Sequence, residues 1–355
     1  VTAGVYLIAR MYPVFELAPD VLILVSYVGG ITLLLAGFAA LVQDDIKRVL
    51  AYSTVSQIGY MFLALGAGAV QPGIFHLMTH AFFKALLFLT AGAIILKLHH
   101  EQNIFKMGGL LKRLPILSWL FAVGLLALIA FPGTSGFMSK EEIIAQLWLS
   151  ETAGPTFWLL AILGALLTSI YSARLFFLGF LGEYRGQCHF TTHNSPVLLI
   201  PLMILALFSI AGGLITFDLS FINTASQIDD DQIRHIVAIS APFLGVAIAA
   251  MTYLYKKDGE IHVKQHVLTG VPIGLKLIVK EGVGFDALYS AFIVRPWNIL
   301  ANSNKQDLVD KLIMSLAWYG RLWHQVFSAS QNGNLRWYAA SIGLGIVLLL
   351  GVGML

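Results

Sequence analysis

Apolar residues dominate this chain in long runs, with polar residues gathered at the run ends. The runs cover residues 21–42, 49–69, 74–98, 116–149, 157–181, 197–217, 235–255 and 337–355. A helix needs roughly 20 residues to cross the hydrocarbon core, so each run predicts a transmembrane helix. The opening stretch from Val1 to Met11 is too short to span. It reads as the tail of a helix beginning upstream, which would make the chain the C-terminal part of a longer protein. The run 116–149 is interrupted by Pro132-Gly133-Thr134-Ser135-Gly136, which cannot continue a regular helix.

The links between runs alternate in charge. Lys47 and Arg48 sit in the first, and the second, 66–73, carries no charge. Lys97, Lys106, Lys112 and Arg113 mark the third, Glu151 the fourth and Arg185 the fifth. Asp218 with Asp229, Asp230 and Asp231 makes the sixth acidic, and the seventh opens with Lys256 and Lys257. Most Lys and Arg therefore face one side, with Arg174 snorkelling toward it. Arg10 and Arg234 face the other side, while Lys84 and Lys140 stay inside the spans. The positive-inside rule puts the basic side in the cytoplasm of a bacterium or an equivalent compartment.

Composition agrees with a membrane protein. The 355 residues are 58% hydrophobic and 12% charged, about half the charged share of a soluble domain. That excludes a soluble enzyme. A net charge of +3 is too small to point to nucleic acid. The single cysteine, Cys188, excludes a disulfide framework or a thiolate metal cluster within the chain. No phosphate-binding glycine loop, Ser-His-Asp arrangement, haem motif or iron–sulfur spacing is visible, so no cofactor is expected on this chain.

Residues 256–336 differ from the rest, being long and charged with no apolar run of spanning length. Within them Leu308, Leu312, Leu316, Trp323 and Phe327 recur at helical spacing, interrupted by Asp310, Lys311 and Arg321. That pattern predicts an amphipathic helix lying on a surface, with Pro296 kinking or dividing the region. It could rest on the protein's own lipid boundary or brace neighbouring subunits. The chain thus divides into a bundle at 1–255, a basic amphipathic region at 256–336 and a last span at 337–355.

Three constellations could carry chemistry. His76, His80 and Lys84 fall at i, i+4 and i+8, on one helix face over roughly 12 Å. Ionisable groups this deep in a span usually mark an ion or proton path, and histidine titrates near neutral pH. A packing role and a zinc pair at His76 and His80 are the alternatives. The second constellation is Lys140 with Glu141 and Glu142, just past the interruption. A broken helix exposes backbone dipoles at mid-membrane, where ions or protons are handled. Equally, Ser139 and Glu142 match an S-x-x-E capping box, the start of an ordinary helix at a water interface. The third is Asp44, Asp45, Lys47 and Arg48 at the mouth of two spans, followed by a polar face of Tyr52, Ser53, Thr54, Ser56 and Gln57.

The stretches Asp45-Ile46-Lys47-Arg48-Val49-Leu50-Ala51-Tyr52-Ser53-Thr54 and Ser56-Gln57-Ile58-Gly59-Tyr60-Met61 resemble antiporter-like subunits of respiratory complex I. So do the run from His76 to Phe88 and His99-His100-Glu101-Gln102-Asn103. The resemblance covers essentially the whole chain. It implies an all-α polytopic membrane protein with a broken transmembrane helix and a long lateral amphipathic helix, the latter ending near Gln331. It further implies that His76 and His80 form a central proton relay continued toward the cytoplasm by Lys84. Lys140 would be the lysine of an outlet half-channel, tuned by Glu141, with Asp45 and Lys47 at the cytoplasmic end. Glu141 stands where the family is associated with aspartate.

Expected partners are protons, the bilayer and antiporter-like subunits of the M and N types, in a bacterial inner membrane. NADH, FMN, iron–sulfur clusters and quinone would be bound by other subunits. Two rival readings are the large subunit of a multisubunit sodium/proton antiporter and a structural scaffold. The ionisable set at His76, His80, Lys84 and Lys140 argues against the scaffold.

Overall fold

The computed structural model describes residues 2–150, 154–186, 196–215, 232–257, 260–264, 279–280, 284–303, 308–331 and 333–354. They fall into two compact units, Val1–Asp286 and Ala287–Leu355. The first unit contains α1 (Ala3–Arg10), α2 (Tyr12–Phe15), α3 (Pro19–Val42), α4 (Ile46–Gly66), α5 (Val70–Lys97) and α6 (Leu110–Arg113). It continues with α7 (Pro115–Leu128), α8 (Ser135–Trp148), α9 (Gly154–Phe180), α10 (Pro196–Ala211) and α11 (Gln232–Tyr253). Among the described residues, 7 helices are long and apolar enough to cross a membrane, six here and one in the second unit. The chain is a polytopic helical membrane protein.

Local chemistry sets the helix ends. Pro19 occupies the first turn of α3 and Asp20 follows it, a favourable start for a helix. Asp45 caps α4 by accepting from the backbone N–H groups of Lys47 at 2.7 Å and Arg48 at 3.1 Å. α3 and α4 pack with backbones almost in contact. A Cβ on Gly29 would lie 2.4 Å from the Leu63 nitrogen, and one on Gly59 2.6 Å from the Leu33 nitrogen. Small residues allow this approach in a membrane, where dispersion rather than water exclusion holds helices together.

Around this pair the core is built from Val49, Leu50, Phe83, Leu86, Leu87 and Phe121, all fully buried. Large apolar residues on α3 (Leu24, Val28, Ile31) and α10 (Ile200, Met203, Leu207) point outward, as lipid-facing positions do.

The interrupted run folds as α7 and α8, each of 14 residues, or roughly 21 Å of rise. Ala130 and Gly133 adopt positive φ, 60° and 87°. Gly136 lets the start of α8 pass the end of α7, since a Cβ there would sit 1.9 Å from the Ala127 carbonyl oxygen. α8 begins at Ser135, so Ser139 lies inside it and is fully buried. The capping-box alternative is overturned, because Ser139 lies a turn inside the helix and its hydroxyl is engaged with His76 and Thr79 of α5.

After α11 the chain forms an antiparallel hairpin of β1 (Leu254–Lys257) and β2 (Glu260–Val263), pairing Leu254 with Val263 and Tyr255 with His262. The sequence pattern did not foresee it. Cys188, Glu151, Asp218, Asp229, Asp230 and Asp231 lie outside the described residues.

The second unit begins within α12 (Phe285–Tyr289) and continues through a π-helical turn, Ser290–Val294. It holds α13 (Arg295–Ser303), α14 (Leu308–Ser330) and α15 (Leu335–Gly353). Pro296 follows the π turn directly, in a stretch that is helical without a gap from Phe285 to Ser303, and having no N–H it interrupts the regular bonding there. On α14 the side chains of Leu312, Leu316, Trp323 and Phe327 are exposed, and the rings of Trp323 and Phe327 stack at 5.7 Å.

Candidate functional site

Four helices bring polar side chains together inside the first unit. From α5, His76 places Nε2 3.1 Å from Gln57 Oε1 of α4 and Nδ1 2.9 Å from Ser139 Oγ of α8. Gln57 in turn donates from Nε2 to Thr168 Oγ1 of α9 at 3.3 Å. Thr79 Oγ1, one turn beyond His76, lies 2.8 Å from Ser139 Oγ. All five side chains are buried.

Chemistry assigns the proton positions. Gln57 Oε1 can only accept, so His76 carries its hydrogen on Nε2 and its Nδ1 accepts from the Ser139 hydroxyl. If His76 gains a second proton, Nδ1 donates instead, and the Ser139 hydroxyl turns toward Thr79 or the Ser135 carbonyl at 3.2 Å. The same contacts therefore serve both protonation states.

Lys84 lies two turns along α5 from His76, 5% exposed. Its ammonium donates to Ser53 Oγ at 2.5 Å and to the Leu50 carbonyl at 3.3 Å, both on α4. Of the polar face expected on α4, Ser53 and Gln57 point to this buried line. Ser56 and Thr54 do not: they donate to the carbonyls of Leu33 at 2.9 Å and Leu50 at 2.9 Å. His80 lies between His76 and Lys84, its ring 6.1 Å from that of His76 and 5.3 Å from that of Phe83. Its Nε2 is buried with no hydrogen-bond partner among the described residues.

Lys140, next to Ser139, is 1% exposed. It donates to the Leu128 carbonyl at 3.0 Å, and its ammonium lies 5.3 Å from the centre of the Tyr60 ring. Leu128 is the last residue of α7, so the cation rests on the negative end of a helix and on an aromatic face. Tyr60 is held by donating its own hydroxyl to the Ala161 carbonyl. Glu141 points elsewhere and pairs with His235 Nδ1 of α11 at 3.1 Å.

Asp45 and Lys47 stand apart from this line. Asp45 caps α4, and Lys47 is exposed on its first turn. Nearby, the Lys280 ammonium pairs with Asp44, while its carbonyl accepts from Gln43 Nε2 at 2.9 Å and Arg48 Nη2 at 3.1 Å. Together with His100, Glu101, Gln102 and Asn103 these residues border an open polar pocket of about 450 Å³. Burial pushes the Glu101 carboxyl up, but the N–H groups of Asn103 and Gln102 and the Lys106 ammonium outweigh it and hold the group below its ordinary range.

Sequence reasoning missed Ser139, Thr79, Tyr60, Thr168 and His235. Thr79 could have been found from its place three residues after His76 on the same helix face. Ser139 entered only as part of a capping box, one of two alternatives for the region. Tyr60 likewise lies three residues after Gln57 on α4, whereas Thr168 and His235 come from helices distant in sequence and carry no local signal.

Comparisons with known proteins agree with the motifs. Residues 1–168 match the family model described as NADH:quinone oxidoreductase/Mrp antiporter, transmembrane. NADH-quinone oxidoreductase subunit L of Pseudomonas aeruginosa is 45% identical over 100% of this chain and 58% of its own length. That of Escherichia coli (strain K12) is 43% identical over 100% of this chain and 57% of its own. The chain thus spans less than two thirds of the length of the curated relatives it matches. The structure of the Mrp complex from Dietzia sp. DQ12-45-1b shares the fold, with a TM-score of 0.55 and 21% identity, over 100% of this chain and 36% of that one.

Proposed function

From its end-to-end homology with part of NADH-quinone oxidoreductase subunit L, we propose that this chain conducts protons in the membrane arm of that complex. It belongs to a proton-translocating NADH:quinone oxidoreductase, driven by quinone reduction on other subunits, which hold NADH, FMN, iron–sulfur clusters and quinone. The membrane is the bacterial inner membrane, and the neighbours are antiporter-like subunits of the M and N types. In this reading α7 and α8 form one broken transmembrane helix, and α14 is a lateral helix. Neither half of the interrupted run reaches the roughly 30 Å of the hydrocarbon core alone.

The observation that carries the reading is the pair of buried lysines flanking a reversible histidine–hydroxyl network. Burying an ammonium is costly unless function requires it. Packing alone gives no reason to place Lys84 and Lys140 on neutral carbonyls, hydroxyls and rings. Lys84 takes protons from the cytoplasmic side through Ser53. His80 and His76 pass them inward, and Ser139 brings them beside Lys140, which exchanges with the opposite side. Asp45 and Lys47 serve the cytoplasmic end as cap and surface charge.

The rival reading, a sodium/proton antiporter subunit, shares the fold. Identity of 43–45% with subunit L, against 21% with the Mrp chain, favours the redox-driven complex.

The test is Lys84→Ala and Lys140→Ala in the full-length subunit within its complex. Proton pumping and coupled quinone reduction fall in both while assembly is retained. Normal pumping in both variants would falsify the reading.

A further inference from the structure

Lys140 and Glu141 share a small cavity bordered by Ala130 and Phe137 on one side and by Ala238, Ile239 and Pro242 of α11 on another. Its volume is about 10 Å³, room for about one water. α11 provides more than a wall. Pro242 has no N–H to give to the Ala238 carbonyl one turn earlier, and both residues border the cavity. The cavity lining thus includes a lysine, a glutamate and the turn of α11 that lacks the Pro242 N–H.

Three residues before Ala238 on α11, His235 holds Glu141 through its 3.1 Å contact. Exposure climbs in steps along this line: Lys140 is 1% exposed, and the side chains of Glu141 and His235 are 25% and 38% exposed. By the alternation of charge along the chain, this end belongs to the side opposite most of the basic residues.

Resting on the reading that Lys140 conducts protons, we infer that Glu141 and His235 form the terminal release pair of the path. The Lys140 ammonium gives a proton to the cavity water, which passes one to the Glu141 carboxylate. His235 takes it from the carboxyl group, and the imidazolium releases a proton to solvent. This restores neutral histidine and ionised carboxylate. Histidine suits the last position because its ordinary pKa lets it accept and release near neutral pH. Among the described residues, the other charged groups near the pair on these two helices are Lys140 and Glu142 on α8 and Arg234 on α11. α9, packed against both helices, has no charged residue over 154–173.

The experiment uses the full-length subunit in its complex, reconstituted into vesicles, with Lys140→Ala alongside. His235→Gln keeps a donor for Glu141 but cannot carry the proton. It lowers pumping several-fold and removes the imidazole's share of the pH dependence of pumping. His235→Ala is restored in part by added imidazole, which a merely structural histidine would not allow. If Lys140→Ala abolishes pumping while His235→Gln pumps normally, the release pair is wrong and the proton path stands. If both pump normally, the proton path falls and the release pair with it. Should His235→Gln fail to assemble, imidazole rescue of His235→Ala decides, and absence of rescue overturns the pair.

Discussion

Lys140 donates a 3.0 Å hydrogen bond to the carbonyl of Leu128, the final residue of the helix that precedes its own. The cation therefore ties together the two halves of the interrupted run at the point where helical bonding stops. Lys140→Met separates its electrostatic from its packing role. Removing a buried ion gains roughly 1–4 kcal/mol of avoided desolvation, and leaving the carbonyl without its donor costs roughly 1–3 kcal/mol. The terms offset, so the unfolding midpoint of the purified complex stays within a few degrees while pumping is lost. A large fall in the midpoint would make Lys140 chiefly structural.

Ser139 is the hinge of the buried network, since its hydroxyl meets both His76 and Thr79. Ser139→Ala leaves His76 Nδ1 buried without a donor, a loss of roughly 1–3 kcal/mol. Pumping falls several-fold, whereas Ser139→Thr, which keeps a hydroxyl, retains more of it. Equal pumping by the alanine and threonine variants would remove the hydroxyl from the path.

Two glycines at the interruption differ in what a methyl group would meet. At Gly136 it would collide with the Ala127 carbonyl, while at Gly133 nothing lies within 4 Å and only the positive φ resists. Gly133→Ala therefore costs about 1–2 kcal/mol. Gly136→Ala costs about 3 kcal/mol or more, because backbone rather than a flexible side chain must yield. Thermal unfolding in detergent should rank Gly136→Ala as the more damaging; the reverse order would mean that α7 and α8 separate readily.

In the loop after α5, the Glu101 carboxylate accepts from the N–H groups of Gln102 at 3.1 Å and Asn103 at 2.9 Å. This loop meets the start of α4 where Ile46 N–H donates to the Gln102 carbonyl at 3.0 Å. The Glu101 carboxyl is held below the ordinary value of 4.5. The folded state therefore binds this proton less readily than the unfolded chain does. The resulting stabilisation is complete above pH about 4.5 and fades as pH falls through the depressed value. Glu101→Gln lacks that component, so its stability declines less steeply on acidification below pH about 4.5. Parallel stability–pH curves for the two proteins would show that the loop contributes nothing.

On α14, Leu312 and Leu316 are exposed by 60% and 70%. Burial against other subunits would gain about 1.5–3 kcal/mol for each. Replacing both by Asp puts unpaired charges on that face, so a complex braced by this helix loses this subunit or its neighbours in mild detergent. Native gel electrophoresis then shows a smaller complex that retains electron transfer. A complex of unchanged size would mean that the helix touches only lipid.

Much of this protein was determined by sequence alone, because crossing a bilayer is a local demand. A run of about 20 apolar residues must be helical to satisfy its own backbone. The spans at 21–42 and 157–181 accordingly return as Pro19–Val42 and Gly154–Phe180. The i, i+4, i+8 spacing likewise put His76, His80 and Lys84 on one face. The hairpin after Tyr253 went unread although Asp258-Gly259, a strong hairpin dipeptide, separates its strands in the sequence.

Tertiary structure decided which side chains meet. In the sequence Ser139 stood out only as half of an S-x-x-E capping box, and the packing of α5 against α8 brings its hydroxyl to His76. Lys140 acquires the Leu128 carbonyl because Gly136 lets two helix ends pass at backbone contact. Glu141 and His235 are 94 residues apart and become partners only when α11 folds against α8. Periodicity records which way a helix faces, but the neighbour on that face is set by close packing between segments remote in the chain.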